Sequence, residues 1–271
     1  MFADLHLHTL FSDGTYTPEE LADRGREKGL GVMALTDHDT VDGCRRMGAA
    51  CESHGIEFVS GCEFTVELDG FELHLLGYYL NLDCQRLNSE LANYQAVRQN
   101  RIHEMVAKLN SLGLELSSED VLSLANCNSP GRPHIGRAMV AKGHCRSLDE
   151  AFQKYLKKGK PAWVPKDKMT AGHAIELIHE AGGLAVIAHP GLYHRDDLIA
   201  PLVQLGLDGI ECFYTRHSTP MTEHYLMLAE QHGLLVTGGS DCHGDNKGRP
   251  LIGGVKVPYS YVAAMKTALA A

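Results

Sequence analysis

Short apolar runs alternate with amphipathic stretches from the first residues onward, and this rhythm sets the expected architecture. The runs 2–8, 31–36 and 56–60 have strand length and strand composition. Between the first two, Thr17-Pro18-Glu19-Glu20 places a capping hydroxyl, a first-turn proline and a glutamate three residues after the cap, which predicts a helix start. A second helix is predicted over 41–54, ended by Gly55. The segments 64–68 and 71–79 flank Asp69-Gly70, a dipeptide that favours a tight turn, so they read as a hairpin. The pattern then turns helical over 87–112, 118–124, 133–141 and 147–157. Alternation resumes with helices at 170–180, from 196, at 219–232 and at 261–269, around strands 184–188, 209–213 and 234–238. Repeated βα units imply an α/β fold with a parallel sheet, closed as a barrel or left open. Residues 1–83 and 167–271 are expected to form its core, and 84–166 a small, mainly helical insertion.

Composition narrows the class. The 271 residues are 44% hydrophobic and 22% charged, enough for a sizeable core. No apolar run reaches the roughly 18 residues of a membrane span, and no leader-like segment precedes the first strand, so a cytoplasmic location without membrane contact is expected. The eight cysteines are dispersed, with no C-x-x-C pair, and read as reduced core thiols. The net charge of −9 argues against broad binding to nucleic acid. It is unevenly spread: residues 131–168 hold ten Lys/Arg against three Asp/Glu, leaving −16 on the remainder. An acidic body with one basic segment suggests a small anionic substrate met by that segment.

The candidate chemistry lies at the strand ends. His6 and His8 are one residue apart in a strand, so the period of two puts both on one face while Leu5 and Leu7 face packing. Asp13 follows the first strand and Asp37-His38-Asp39 the second. Glu63 follows the third, and His74 lies in the hairpin. His189 ends the run 184–188, and Asp241 and His243 follow the last strand. Strand C-termini are where α/β barrels build active sites. Nine N and O donors (His6, His8, Asp13, His38, Glu63, His74, His189, Asp241 and His243) exceed what one catalytic ion needs and suit two or three divalent ions, Mn, Fe or Zn. Asp37 is expected to orient a ligand or cap a loop. His54, His103, His144, His173, His179, His194, His224 and His232 fall in helices or outer loops and read as packing or surface residues.

In this order H-x-H, S-D-G, T-D-H-D, G-x-E, the hairpin His, A-H-P and S-D-x-H resemble the polymerase and histidinol phosphatase (PHP) family of metal phosphoesterases, over residues 1–82 and 170–257. The stretch from Arg132-Pro133-His134 to Gly159-Lys160-Pro161 more loosely resembles the insertion of its nucleoside 3′,5′-bisphosphate phosphatases. The resemblance implies a distorted (β/α)7, TIM-like barrel. It also implies a first ion on His6, His8, Glu63 and Asp241, a second on bridging Glu63 with His74 and His189, and a third on Asp13, His38 and His243. Asp13 stands where some members have His. Such ions, about 3.5–4 Å apart, would lower the pKa of bound water and so supply a hydroxide able to attack phosphorus in line.

Arg132, His134, Arg137, Lys158, Lys160 and Arg216 are the candidates for holding a second anionic group, and Asp39 and His217 for donating a proton to the leaving oxygen. Trp163 and Tyr155 read as packing residues before base-stacking ones. The expected reaction is hydrolysis of a phosphate ester of a small metabolite such as a nucleotide, first of all a nucleoside 3′,5′-bisphosphate. The alternatives are a phosphorylated ribose cyclic phosphate and trimming of short RNA 5′ ends. An amidohydrolase would have less need of the cationic segment. A non-catalytic PHP domain would have lost ligands, and histidinol phosphate carries an ammonium that a basic insertion repels. No obligate protein partner is expected.

Overall fold

Residues 1–247 and 250–270 are described by a computed structural model. β1 (Phe2–Asp4), α1 (Pro18–Glu27), β2 (Leu30–Leu35), α2 (Cys44–Ser53) and β3 (Glu57–Leu68) follow in βα order, and β4 (Phe71–Tyr78) turns back against β3. The helical block comprises α3 (Gln85–Ser111), α4 (Ser118–Ala125), α5 (Arg132–Ala141) and α6 (Leu148–Ala151), which runs on as a π-turn over Phe152–Leu156. β5 (Met169–Thr170), α7 (Ala171–Glu180), β6 (Leu184–Ile187), α8 (Ile199–Gln204), β7 (Gly209–Tyr214), α9 (Thr219–His232), β8 (Leu235–Gly239), β9 (Val257–Pro258) and α10 (Tyr259–Leu269) complete the chain. The capping signal at Thr17 is realised in both directions: its hydroxyl accepts from Glu20 N at 3.1 Å, and Glu20 accepts from Thr17 N at 2.8 Å.

The strands pair in the order β8-β7-β6-β4-β3-β2-β1-β9. Backbone hydrogen bonds from Leu5 N to Gly238 O (3.1 Å), Asp241 N to His6 O (2.9 Å) and His8 N to Cys242 O (3.0 Å) then tie the end of β1 to the end of β8. The sheet is therefore a nearly closed, distorted barrel. Its interior is filled by Ala3, Leu5, Val32, Val59, Leu76 and Val186, with Val262 and Met265 of α10 joining the same cluster. A larger cluster lies between the strands and the outer helices. A third, built from Ile102, Met105, Leu109, Ile135, Met139 and Leu156, holds the helical block together. No described helix is long and apolar enough to cross a membrane.

Three expectations change. The sheet is not wholly parallel, because β4 runs antiparallel to both β3 and β6. The runs 56–60 and 64–68 are one strand, so Glu63 sits inside β3 and not in a loop beyond it. Gly61 makes this possible: a Cβ there would stand 2.8 Å from Gly77 O and 2.9 Å from Leu35 O, so what reads as a break is a close approach of three strands. Finally, regular pairing of β1 stops at Asp4, and Leu5 and Leu7 join different clusters. Simple alternation does not describe this segment, although His6 and His8 still meet, their ring centroids 5.1 Å apart.

Candidate metal centre and its pocket

Glu63 is the hub of the site. Its carboxylate is 1% exposed and its two oxygens divide the surrounding imidazoles between them. Oε1 lies 2.6 Å from His74 Nδ1 and 3.1 Å from His189 Nε2. Oε2 lies 3.2 Å from His6 Nε2, 3.1 Å from His8 Nε2 and 3.2 Å from His38 Nδ1. Asp241 Oδ1 stands 3.2 Å from His8 Nε2 and 3.3 Å from His243 Nδ1, and His243 Nε2 is 3.2 Å from Asp13 Oδ1. All nine candidate ligands are thus brought together. The donor atoms of eight of them fall into overlapping groups (His6, His8, Glu63 and Asp241; His38, Glu63 and His74; and His8, Asp13, His38 and His243), while His189 adjoins them through Glu63 Oε1. His38 belongs to two of these groups, beyond the single role the family resemblance implied.

Several of the contacts are not hydrogen bonds. His8 Nε2 and His38 Nδ1 are buried and lack a partner of acceptable geometry, although each faces a carboxylate oxygen. Lone pairs pointed at lone pairs in a buried space require a cation between them. Protons alone would answer part of that demand. Burial lowers the basicity of His8, but the Asp241 and Glu63 carboxylates outweigh it and push its pKa up to about 9. Burial leaves His38 with a pKa near 3, despite Glu63 and Asp13, so its imidazole is neutral and free to offer a lone pair. Glu63 is buried, yet the surrounding histidines hold it well below the usual carboxylate range. The donor set fits divalent cations with N and O ligands.

The local backbone is shaped for this convergence. His189 and Asp241 adopt φ of +31° and +53°, a region uncommon for non-glycine residues though favoured by Asp and His among them. Gly239 lets β8 pass His6, since a Cβ there would stand 2.3 Å from His6 Cβ. Asp37 accepts from Thr9 N (2.8 Å), Thr9 Oγ1 and Ser12 Oγ, and so caps the loop that carries Asp13.

A further layer escaped the sequence reading. Glu211, fully buried in β7, takes His6 Nδ1 on one oxygen (3.0 Å) and accepts from His189 N on the other (2.7 Å). Orientation of ligating histidines by a carboxylate is a recurrent feature of metal sites. Its signal was present as a charged residue inside the apolar run 209–213. Tyr214 Oη donates to Asp241 Oδ2 at 2.9 Å, and His74 N donates to Tyr193 Oη at 2.9 Å.

Neither candidate proton donor fits that role. Asp39 is an anion locked between Arg98 (Nη2 at 2.6 Å) and Lys166 (Nζ at 2.7 Å), and it accepts from Thr65 N at 2.9 Å. Burial opposes its charge, but those two cations hold the carboxyl far below the ordinary range. His217 spends both ring nitrogens on backbone: Nδ1–H donates to Cys212 O (2.9 Å) and Nε2 accepts from Gly191 N (3.2 Å). It ties the loop after β6 to β7.

The centre opens into a cavity of about 320 Å³ that is also lined by Arg98, Arg101, Arg132, Phe152 and Lys166 of the helical block and the return from it, and by Arg216. Of the candidate anion ligands, Arg132 and Arg216 line it. His134 does not: it is 1% exposed, and its Nδ1 accepts from Gly131 N in capping α5. Arg137 lies off the cavity with Nε and Nη2 buried and without hydrogen-bond partners, and Lys158 and Lys160 are exposed outside it. Arg101 and Arg98 supply cations that the sequence reading missed, because they come from the long helix α3 and not from the basic segment.

The PHP domain matches residues 4–161. A 3′,5′-nucleoside bisphosphate phosphatase from Chromobacterium violaceum is 32% identical over 90% of this chain and 88% of its own. A 5′-3′ exoribonuclease from Haemophilus influenzae is 33% identical over 89% of each. The crystal structure of a Bifidobacterium adolescentis protein assigned as a metal-dependent phosphoesterase superposes with a TM-score of 0.91 at 31% identity, covering 98% of this chain and 95% of that one. Ligand geometry, barrel and relatives agree: the chain belongs to the PHP domain family and is a metal-dependent hydrolase of phosphoester bonds.

Proposed function

We propose that the substrate is a nucleoside 3′,5′-bisphosphate, with one phosphate at the metal cluster and the other on the insertion's cations. The observation that carries this reading is the pair Arg101 and Arg132. Both line the cavity and neither has a carboxylate within ion-pair distance among the described residues; burial lowers the pKa of both, and Arg132 lowers that of Arg101 further, while Glu72, also on the cavity wall, opposes the shift in each. Burial and Arg132 bring the Arg101 pKa down to about 10. Two desolvated guanidiniums side by side are a standing demand for an anion, and their planar forks suit phosphate.

His6, His8, Glu63 and Asp241 would hold one divalent ion, Glu63 with His74 and His189 a second, and Asp13, His38 and His243 a third. Bound ions of this kind activate water near neutral pH and neutralise a phosphate's charge. The protein's own part is orientation. Glu211 fixes His6, Tyr214 fixes Asp241, and residues 84–166, proposed as a substrate-facing insertion, close the cavity over the scissile ester. Manganese, iron and zinc all match the donor set.

Metal-reconstituted enzyme should be assayed for phosphate release from nucleoside 3′,5′-bisphosphates, phosphorylated ribose cyclic phosphates, histidinol phosphate and short 5′-phosphorylated RNAs. A preference for the bisphosphates supports the reading. A preference for RNA longer than a few nucleotides would replace it with exonucleolysis, against which the −16 body stands. Arg132→Ala should raise KM for bisphosphates about 10-fold or more, the loss of one charge-assisted contact, with a smaller effect on aryl monophosphates.

A further inference from the structure

Among the aromatic residues of the helical block, the ring that lines the cavity is neither Tyr155 nor Trp163 but Phe152. Phe152 opens the π-turn that continues α6, and Lys157 N closes this wider loop on Phe152 O at 3.1 Å. Such turns replace the α-helical side-chain placement with another and recur at functional sites. Phe152 is partly buried, packing against the insertion's core on one side while lining the cavity on the other. The Arg132 guanidinium sits 5.8 Å from its ring centroid. Across the cavity stand Leu192 and Tyr214, carried by the barrel.

We propose that Phe152, with the adjoining Arg132 plane, is the shelf on which the substrate's nucleobase stacks, making the enzyme selective for base-bearing phosphates over bare sugar phosphates. The inference rests on the nucleoside bisphosphate reading above. A phenyl face with no hydrogen-bonding atom accepts any base, so purines and pyrimidines are both bound, the larger ring systems more tightly. Guanidinium and aromatic planes are both surfaces on which unpaired bases stack. The cavity then has three parts in one line of argument: metal cluster for the scissile phosphate, Arg101 and Arg132 for the second phosphate, and Phe152 for the base.

The test compares adenosine 3′,5′-bisphosphate with the abasic 1-deoxyribose 3,5-bisphosphate on metal-loaded wild type and on Phe152→Leu, Phe152→Ala and Phe152→Trp. The readout is the ratio of kcat/KM for the two substrates. Loss of one stacked base is expected to lower that ratio about 5- to 100-fold in the Leu and Ala variants, chiefly through KM, with Trp retaining it. Leu keeps apolar bulk in the insertion core, so a fall in Leu as well as Ala separates stacking from packing. Equal loss on both substrates, or an unchanged ratio, would overturn the shelf and leave the bisphosphate reading intact. A wild-type enzyme inert on both bisphosphates yet active on other phosphate esters would overturn that reading, and the shelf with it.

Discussion

Replacing Asp39 by Asn separates a strut from a proton donor. Asp39 is 4% exposed and joins three parts of the chain: the loop after β2, Arg98 of α3, and Lys166 on the return from the helical block. Arg98 also donates to Thr65 Oγ1 and Pro130 O, so the carboxylate organises the junction between barrel and insertion. Asn preserves volume and an acceptor for Thr65 N but leaves two buried cations without an anion. Breaking a buried ion pair from one side costs about 3–5 kcal/mol, which at roughly 2–4 °C per kcal/mol lowers Tm by about 6–20 °C. The folded pKa of Asp39 lies below its unfolded value. Its contribution is therefore complete above the ordinary carboxylate pKa of about 4 and fades only as pH falls below it. Melting curves by circular dichroism should show the full wild-type-to-variant gap near pH 5 and a narrower one toward pH 8, because burial already holds the Lys166 pKa at about 8 and loss of Asp39 lowers it further, so the stranded ammonium sheds its proton. Lys166→Met in the Asp39→Asn background should recover part of the loss by removing one stranded charge. A gap under about 1 °C at pH 5 to 6, where both stranded cations keep their charge, would refute the strut. Disappearance of the alkaline limb of the kcat profile, with stability unchanged, would return Asp39 to proton transfer.

Three other outcomes follow from the same geometry. Glu211→Gln should weaken metal binding about 10- to 100-fold, the usual scale for a carboxylate supporting a metal histidine, because an amide cannot serve both His6 Nδ1–H and His189 N as acceptor on its two ends; competition with a chromophoric chelator measures it, and affinity within twofold of wild type would refute the role. Since His8 titrates near 9 in the metal-free cluster, metal binding should release protons below that pH and strengthen as pH rises toward it; calorimetry in buffers of different ionisation enthalpy counts them, and zero release between pH 7 and 8 would contradict the carboxylate–histidine coupling. His217→Ala removes two hydrogen bonds, to Cys212 O and from Gly191 N, and should lower stability by about 1–3 kcal/mol in urea unfolding; a shifted pH profile of kcat would instead mark it as a proton donor.

The nine candidate donors were legible from the chain alone because most follow or end a strand-length apolar run, and His74 interrupts one, so that polarity marks them without knowledge of the fold. The same local signals located most helices and the Asp69-Gly70 turn, whose residues take φ of +50° and +75°. What the sequence by itself determined is therefore which chemistry is present and at which end of the strands. Only the tertiary structure decided how that chemistry is shared out. Glu63 became a hub because three backbones pass at Gly61, and His38 serves two groups because β2 delivers it between them. Asp39, a candidate proton donor on its residue type, is neutralised by Arg98 and Lys166, 59 and 127 residues away in sequence. Arg101 joins Arg132 in the cavity although it lies outside the basic segment. Periodicity reports the face of an element on which a residue lies. Ion pairing and charge balance are long-range and pairwise, so the partner of each buried charge is fixed only once the chain has closed on itself.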